Sequence, residues 1–266
     1  MESNNLFSLK RFLILFKQSL KINKKLIGIS LAGMAVVFFI ALILFQSSSK
    51  FQTWWPNLSM ATFKVFFYPL GIVYASLSFP SFRSKEKTMS YLMLPASTSE
   101  KFIFEFLTRI ITFGLVMPIL FWIVANLEGT FIRHYIPVSD SFYSKFPFST
   151  YFRIFSHTTT AGGWYNFGNM QIGLFVLIVA FAGASYFSRS PLLKTLFTLS
   201  VTLIGLSLIT YLLYKGLNLN ENNLSYESLP FVKNKEQGAV FEALLLTAIN
   251  LALLSIAWFS LKEKEA

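Results

Sequence analysis

The side chains best placed for chemistry are few. Glu105 and Arg109 lie four apart, the spacing that puts two side chains on one face of a helix. Glu105 could serve as a base in a membrane enzyme or as one half of a conformational latch. The pair reads as a local ion bridge near the membrane surface, worth about 0.2–0.5 kcal/mol if exposed. Ser97-Thr98-Ser99-Glu100 has the S-x-x-E form of a capping box, in which the serine and glutamate cap one helix start reciprocally. Glu242 sits in the first turn of an apolar segment, where a carboxylate suits a helix N-terminus and a proton relay is the sharper alternative. Lys64 lies one turn inside another apolar segment and reads as a lysine reaching back to the interface. His134 and His157 both fall in one long loop, and no apolar segment holds the closely spaced ligands a metal needs. The chain has no cysteine, which excludes disulfides, thiolate metal sites and a cysteine nucleophile. It has no G-x-x-x-x-G-K-[ST] phosphate loop, so any ATP must be bound by another chain. The expectation is no catalytic residue, no metal and no cofactor on this chain.

Residues so sparse in chemistry must be held by something other than an enzyme's water-exposed fold. The chain is 54% hydrophobic and 13% charged, with a mean hydropathy of +0.56. Soluble domains carry roughly 25% charged residues. An all-α integral membrane protein is expected, because in hydrocarbon a helix satisfies its own backbone. The net charge of +11 does not point to nucleic acid, since the basic residues flank apolar segments, where they orient the chain and meet anionic head groups. No cleavable signal peptide is expected, because the first apolar span begins near Leu26 after a basic lead and no A-x-A site follows.

Along the chain, residues 5–25 repeat Leu9, Phe12, Phe16 and Leu20 at helical spacing, with Lys10, Arg11, Lys17, Gln18 and Lys21 on the other side. This predicts an amphipathic helix in the membrane interface. Six spans are expected, at about 26–45, 60–79, 102–126, 170–187, 192–214 and 239–261, each near the roughly 20 residues that cross the hydrocarbon. Gly28 with Ala32, and Ala180 with Ala184, are small-xxx-small pairs that permit close helix contact. The fifth span carries Thr195, Thr198, Thr202, Gly205 and Thr210. Their hydroxyls suit bonds to their own helix, or a path lined by Thr198 and Thr202. Trp54 and Trp55 are interfacial anchors. Outer loops are expected at 127–169, rich in aromatics, and 215–238. The short-loop basic residues concentrate on the side of the N-terminus, the segment after the second span and the C-terminus, so both termini are expected in the cytoplasm.

Between the second and third spans lies 84–100. Lys85 to Leu94 can form a short helix with Met89, Leu92 and Met93 on one side, ended by Pro95. The capping box Ser97…Glu100 then starts a new helix that runs into the third span. Such a unit could transmit force from a partner to the spans.

The segment Tyr91-Leu92-Met93-Leu94-Pro95-Ala96-Ser97-Thr98-Ser99-Glu100-Lys101-Phe102 is similar to the "YLxLPAS…EKF" stretch of permease subunits of type-2 ABC exporters from Bacteroidetes-type bacteria. Six spans, an N-terminal interfacial helix and a cytoplasmic helix after the second span resemble that family's plan over almost the whole chain. The resemblance implies a multi-pass protein of the bacterial inner membrane that pairs with a second permease, identical or homologous. One ABC ATPase subunit would dock under each. It implies ATPase coupling through Lys85, Met89, Leu92, Met93, Pro95, Ser97 and Glu100, and a dimer contact involving Gly28, Ala32 and Gly205. The outer loop 127–169 is larger than the bare family plan requires. Two other classes remain open at this point. One is a membrane scaffold or accessory subunit without a transport path. The other is an intramembrane enzyme, since Glu105-x-x-x-Arg109 is similar to one fragment of the CAAX-protease pattern, though no later span carries a histidine to complete it.

Overall fold

The computed structural model describes residues 8–47, 56–83, 89, 96–135, 163–187, 190–216 and 235–265. These residues are almost entirely helical, with no strand among them. The chain divides into two compact units, Met1–Gly71 with Leu94–Ile154, and Ile72–Met93 with Phe155–Ala266.

The first unit begins with α1, Leu9–Ser47, a single helix of 39 residues. The expected interfacial helix at 5–25 and the first span at 26–45 are therefore parts of one element. No proline interrupts the sequence between them, and the backbone ladder runs on through Asn23 and Gly28, residues that can end a helix but here lie inside it. The helix α2, Pro56–Ser76, opens on proline, which is pre-set for the first helical position. After the segment 84–95 come α3, Thr98–Phe106, a π-helical turn at Leu107–Ile111, and α4, Thr112–Tyr135. These three run on without a gap, as one rod of 38 residues. The third span was expected to end at 126, but residues 127–135, assigned by sequence to the outer loop, are helical. Phe131 and Ile132 continue the apolar face there, and Ile132 is buried.

Contacts set the helix directions. Phe16 meets Phe104 with ring centroids 6.4 Å apart, and Phe38 meets Phe121 at 5.2 Å. Moving forward along α1 thus moves forward along α3 and α4, and the two are parallel. Phe63 meets Phe121 at 5.1 Å while Phe67 meets Phe113 at 5.3 Å, so α2 runs antiparallel to α4. Phe38, Phe63 and Phe121 are at most 1% exposed and form the centre of this unit. Edge-on aromatic packing adds about 0.5–1.5 kcal/mol per pair beyond burial. In lipid, such packing matters more than apolar character, because the tails are as apolar as the rings.

The second unit is organised on α5, Gly163–Tyr186, which packs against both α6, Pro191–Gly216, and α7, Lys235–Glu265. Residues 180–185 of α5 are all buried. Gly183 faces Thr195 of α6, where an added Cβ would run into the threonine Oγ1. Gly183 lies against Thr195 and Phe187 against Lys194, so α5 and α6 are antiparallel; Ser190, just before α6, has φ 51°. Along α7, Asn250 Nδ2 donates to Gln171 Oε1 at 2.8 Å and Ser260 Oγ to the Ser185 carbonyl at 3.1 Å. Both numbers rise together, so α5 and α7 are parallel. Lys264 Nζ donates to the carbonyls of Ser185 and Tyr186 at the end of α5, and lies 5.5 Å from the Phe82 ring centre. Phe79 is buried against Phe181, at 5.1 Å between centroids.

Among the described residues, four helical stretches are long and apolar enough to cross a membrane: Asn23–Ser47, Thr98–Tyr135, Pro191–Ile209 and Gln237–Lys264. Met170–Tyr186 is a shorter apolar helix. By length and composition these suit a multi-pass membrane protein.

Candidate functional site

The start of α3 is where the described side chains are most tightly tied together. Ser97 takes an extended conformation at φ −69° and ψ 156°, which turns its hydroxyl toward the helix. The Glu100 N–H donates to Ser97 Oγ at 3.3 Å, and the Ser97 N–H donates to Glu100 Oε2 at 3.1 Å. The capping box read from the sequence is formed. Its glutamate does more than cap its own helix. Glu100 Oε1 accepts the Ser8 backbone N–H at 2.6 Å, Arg11 Nε at 3.2 Å and Arg11 Nη2 at 3.0 Å. The Glu100 side chain is fully buried, and that of Arg11 is 34% exposed. One carboxylate thus joins the beginning of α1 to the beginning of α3. A charged acceptor with several donors is among the stronger polar contacts a protein makes, at about 1.5–3 kcal/mol.

One turn further, Arg109 Nε lies 3.4 Å from Glu105 Oε2. This is the local ion bridge expected from their spacing. It falls where the helix widens: the Thr112 N–H reaches back five residues to the Leu107 carbonyl. Thr112 Oγ1 donates to that same carbonyl at 3.0 Å. Such π turns often sit at functional positions.

The other residues assigned to coupling are only partly in view. Met89 is 64% exposed. Lys85, Leu92, Met93 and Pro95 lie outside the described residues. Three small residues, Gly28, Ala32 and Gly205, were assigned to a dimer contact. Gly28 and Ala32 are on the exposed side of α1, and a Cβ added at Gly28 or at Gly205 would meet nothing within 4 Å. Thr198 and Thr202 are exposed on α6, and their hydroxyls donate to the carbonyls of Thr195 and Thr198, at 3.0 and 2.8 Å. Both therefore satisfy themselves on their own helix, as the plainer reading of those hydroxyls expected. Beside them Phe187, Leu193, Lys194, Phe197 and Thr198 line a shallow apolar hollow. Lys64 is half-buried and Glu242 exposed.

Sequence reasoning missed four polar contacts. Arg11 was counted only as a flanking charge, although its partner Glu100 was singled out. Glu128 is 1% exposed and accepts from Gln46 Nε2 at 3.4 Å. Its signal was an acid one turn before two further apolar positions, Phe131 and Ile132, which marks a helix continuing rather than a loop. The Asn250–Gln171 bridge and the Lys264 cap carried no local signal, since each depends on which helices are neighbours. Among the described residues no group of three or more His, Asp or Glu side chains comes together that could hold a metal ion.

No protein-family model, no curated protein and no solved structure matches this chain.

Proposed function

We propose that this chain is the membrane-spanning permease subunit of an ABC transporter, an exporter, driven by a separate ATPase subunit. The observation that carries the reading is the Glu100 clamp. The segment 84–95 leads directly into Ser97, and Glu100 ties that point to both α1 and α3. A push delivered by a partner to the segment would therefore reach two membrane helices at once. Force can pass from an ATPase to a transport path only through such a stiff junction, because a flexible one would dissipate it. The resemblance of residues 91–102 to exporter permeases supports the same assignment.

Six crossings fit the helix directions. The helices α1 and α4 are parallel with α2 antiparallel beside them, and α5 and α7 are parallel with α6 between them in sequence. Each parallel pair needs one crossing in the opposite sense, which α2 and α6 supply. The basic residues gathered on one side support both termini in the cytoplasm, and this reading assigns the chain to a bacterial inner membrane. The second permease of the pair would meet this one through α1 and α6, around Gly28, Ala32 and Gly205. In this reading the chain binds no cofactor, and ATP is held and hydrolysed by the partner.

The test is affinity co-purification from native membranes, with the wild type and with Leu92→Asp/Met93→Asp. An ABC ATPase recovered with the wild type and lost from the variant is the expected result. If no ATPase accompanies the wild type under conditions that hold other ABC complexes together, the permease reading is abandoned.

A further inference from the structure

Where α5 ends and α6 begins, Phe187, Leu193, Lys194, Phe197 and Thr198 surround a shallow hollow. Its walls are apolar, because the Thr198 hydroxyl is turned to the Thr195 carbonyl of its own helix. Lys194 is the charged group at its rim. The ammonium stands 5.7 Å from the centre of the Phe187 ring. Among the described residues Lys194 makes no ion pair. The surrounding sequence offers none either, since residues 141–220 hold no Asp or Glu. The apolar run of α6 that suits a membrane crossing starts at Pro191. Lys194 is three residues past that start, about 4.5 Å along the axis, which sets it where head groups meet hydrocarbon. Below it Phe197, Val201, Ile204 and Leu208 follow at spacings of three and four, each more than half exposed. With Lys194 they form one stripe down the helix. From Phe197 to Leu208 the stripe extends about 16 Å. The hydrocarbon of one leaflet is about 15 Å deep.

We infer that the hollow and its stripe bind one anionic phospholipid, with the phosphate on Lys194 and an acyl chain along Phe197, Val201, Ile204 and Leu208. Lipid of any kind covers an apolar membrane helix. This face differs in carrying a cation at head-group depth above an apolar track one leaflet long. Basic pockets beside membrane helices hold anionic head groups in this way. A second copy of the chain is the rival occupant, because α1 and α6 would form the dimer contact of a permease. Neither helix contains an Asp or Glu, so a second copy meeting this one there brings Lys194 no opposite charge. A phosphodiester does. The site requires only that α6 crosses the membrane, and it stands apart from the permease assignment.

The test is native mass spectrometry of the full-length chain, released from micelles that hold equal amounts of phosphatidylglycerol and phosphatidylcholine with the same acyl chains. Collisional activation is raised until loosely held lipid is stripped. The wild type should keep one phosphatidylglycerol, and should keep it in preference to phosphatidylcholine. Lys194→Gln should lower that retention about fivefold, the effect of one lysine beside an anionic lipid. Lys194→Arg should keep the lipid, which separates loss of charge from misfolding. Lys17→Gln, at an exposed lysine of α1, should keep it as well. Phe197→Ala/Val201→Ala should lose both lipids more readily while leaving their ratio unchanged. Equal losses from Lys194→Gln and Lys17→Gln would mean a diffuse attraction of charge and would overturn the site. Retention untouched by Lys194→Gln overturns it too. Retention untouched by the Phe197/Val201 pair removes the acyl contact. If Lys194→Gln shifts the mass from dimer to monomer and leaves bound lipid as it was, a second copy covers this face and the lipid site is abandoned.

Discussion

Arg11 and Glu100, 89 residues apart in sequence, meet at 3.0 Å between Nη2 and Oε1. The same oxygen takes the Ser8 N–H, so a single buried carboxylate caps its own helix and fixes the start of another. Glu100→Ala should cost about 3 kcal/mol, combining the lost charged hydrogen bonds with the lost cap. Glu100→Gln, which keeps a carbonyl oxygen but loses the charge, should cost about 1–2 kcal/mol. A double-mutant cycle with Arg11→Ala should return a coupling of about 1–2 kcal/mol. Equilibrium unfolding in mixed micelles measures all three, and a coupling near zero would mean that the contact does not hold the two helices together.

Gly183 of α5 packs directly against Thr195 of α6. An added methyl would clash with Thr195 Oγ1 and fall 2.6 Å from its Cγ2. The threonine cannot easily turn away, because it is branched at Cβ and its hydroxyl is bonded to the Pro191 carbonyl at 2.6 Å. Gly183→Ala should therefore destabilise by about 1–3 kcal/mol. Adding Thr195→Ala should recover part of that loss. Thermal unfolding of the two variants decides it, and a Gly183→Ala protein as stable as wild type would show that the helices are not so close.

The Asn250–Gln171 bridge is buried between parallel helices, and Asn250 also donates to the Gln171 carbonyl at 3.3 Å. Polar contacts between membrane helices average about 0.6 kcal/mol, since the separated helices find other partners. Asn250→Ala should accordingly cost about 0.5–1 kcal/mol, well below Gly183→Ala, despite removing two hydrogen bonds. Unfolding measurements that reverse this order would show that the polar bridge, not steric fit, dominates the second unit.

The topology can be read with a membrane-impermeant maleimide on right-side-out spheroplasts. Tyr135→Cys, at the end of α4, should be labelled from outside. Lys17→Cys and Lys262→Cys should be labelled only after the membrane is opened. External labelling at Lys262 together with protection at Lys17 would require an odd number of crossings and would sink the six-span arrangement.

Much of the architecture was decided by local features that a sequence displays. Uncharged apolar runs of span length make membrane helices necessary, because only a helix satisfies its own backbone in lipid. Ser97 and Glu100 mark a helix start because a capping box is complete within four residues, and Glu105 with Arg109 forms its bridge for the same reason. Other features depended on which helices become neighbours. The periodicity of residues 5–25 predicted an amphipathic helix in the membrane interface, and Phe16 on its apolar side meets Phe104, since periodicity reveals a face but not what covers it. The basic lead joined its span into one long helix that runs through Asn23 and Gly28, potential stops that a local pattern does not distinguish from helix interior. Arg11 with Glu100 and Gln46 with Glu128 arise from contacts between segments distant in sequence. There the packing of side chains between helices, which no local pattern encodes, selected the partner.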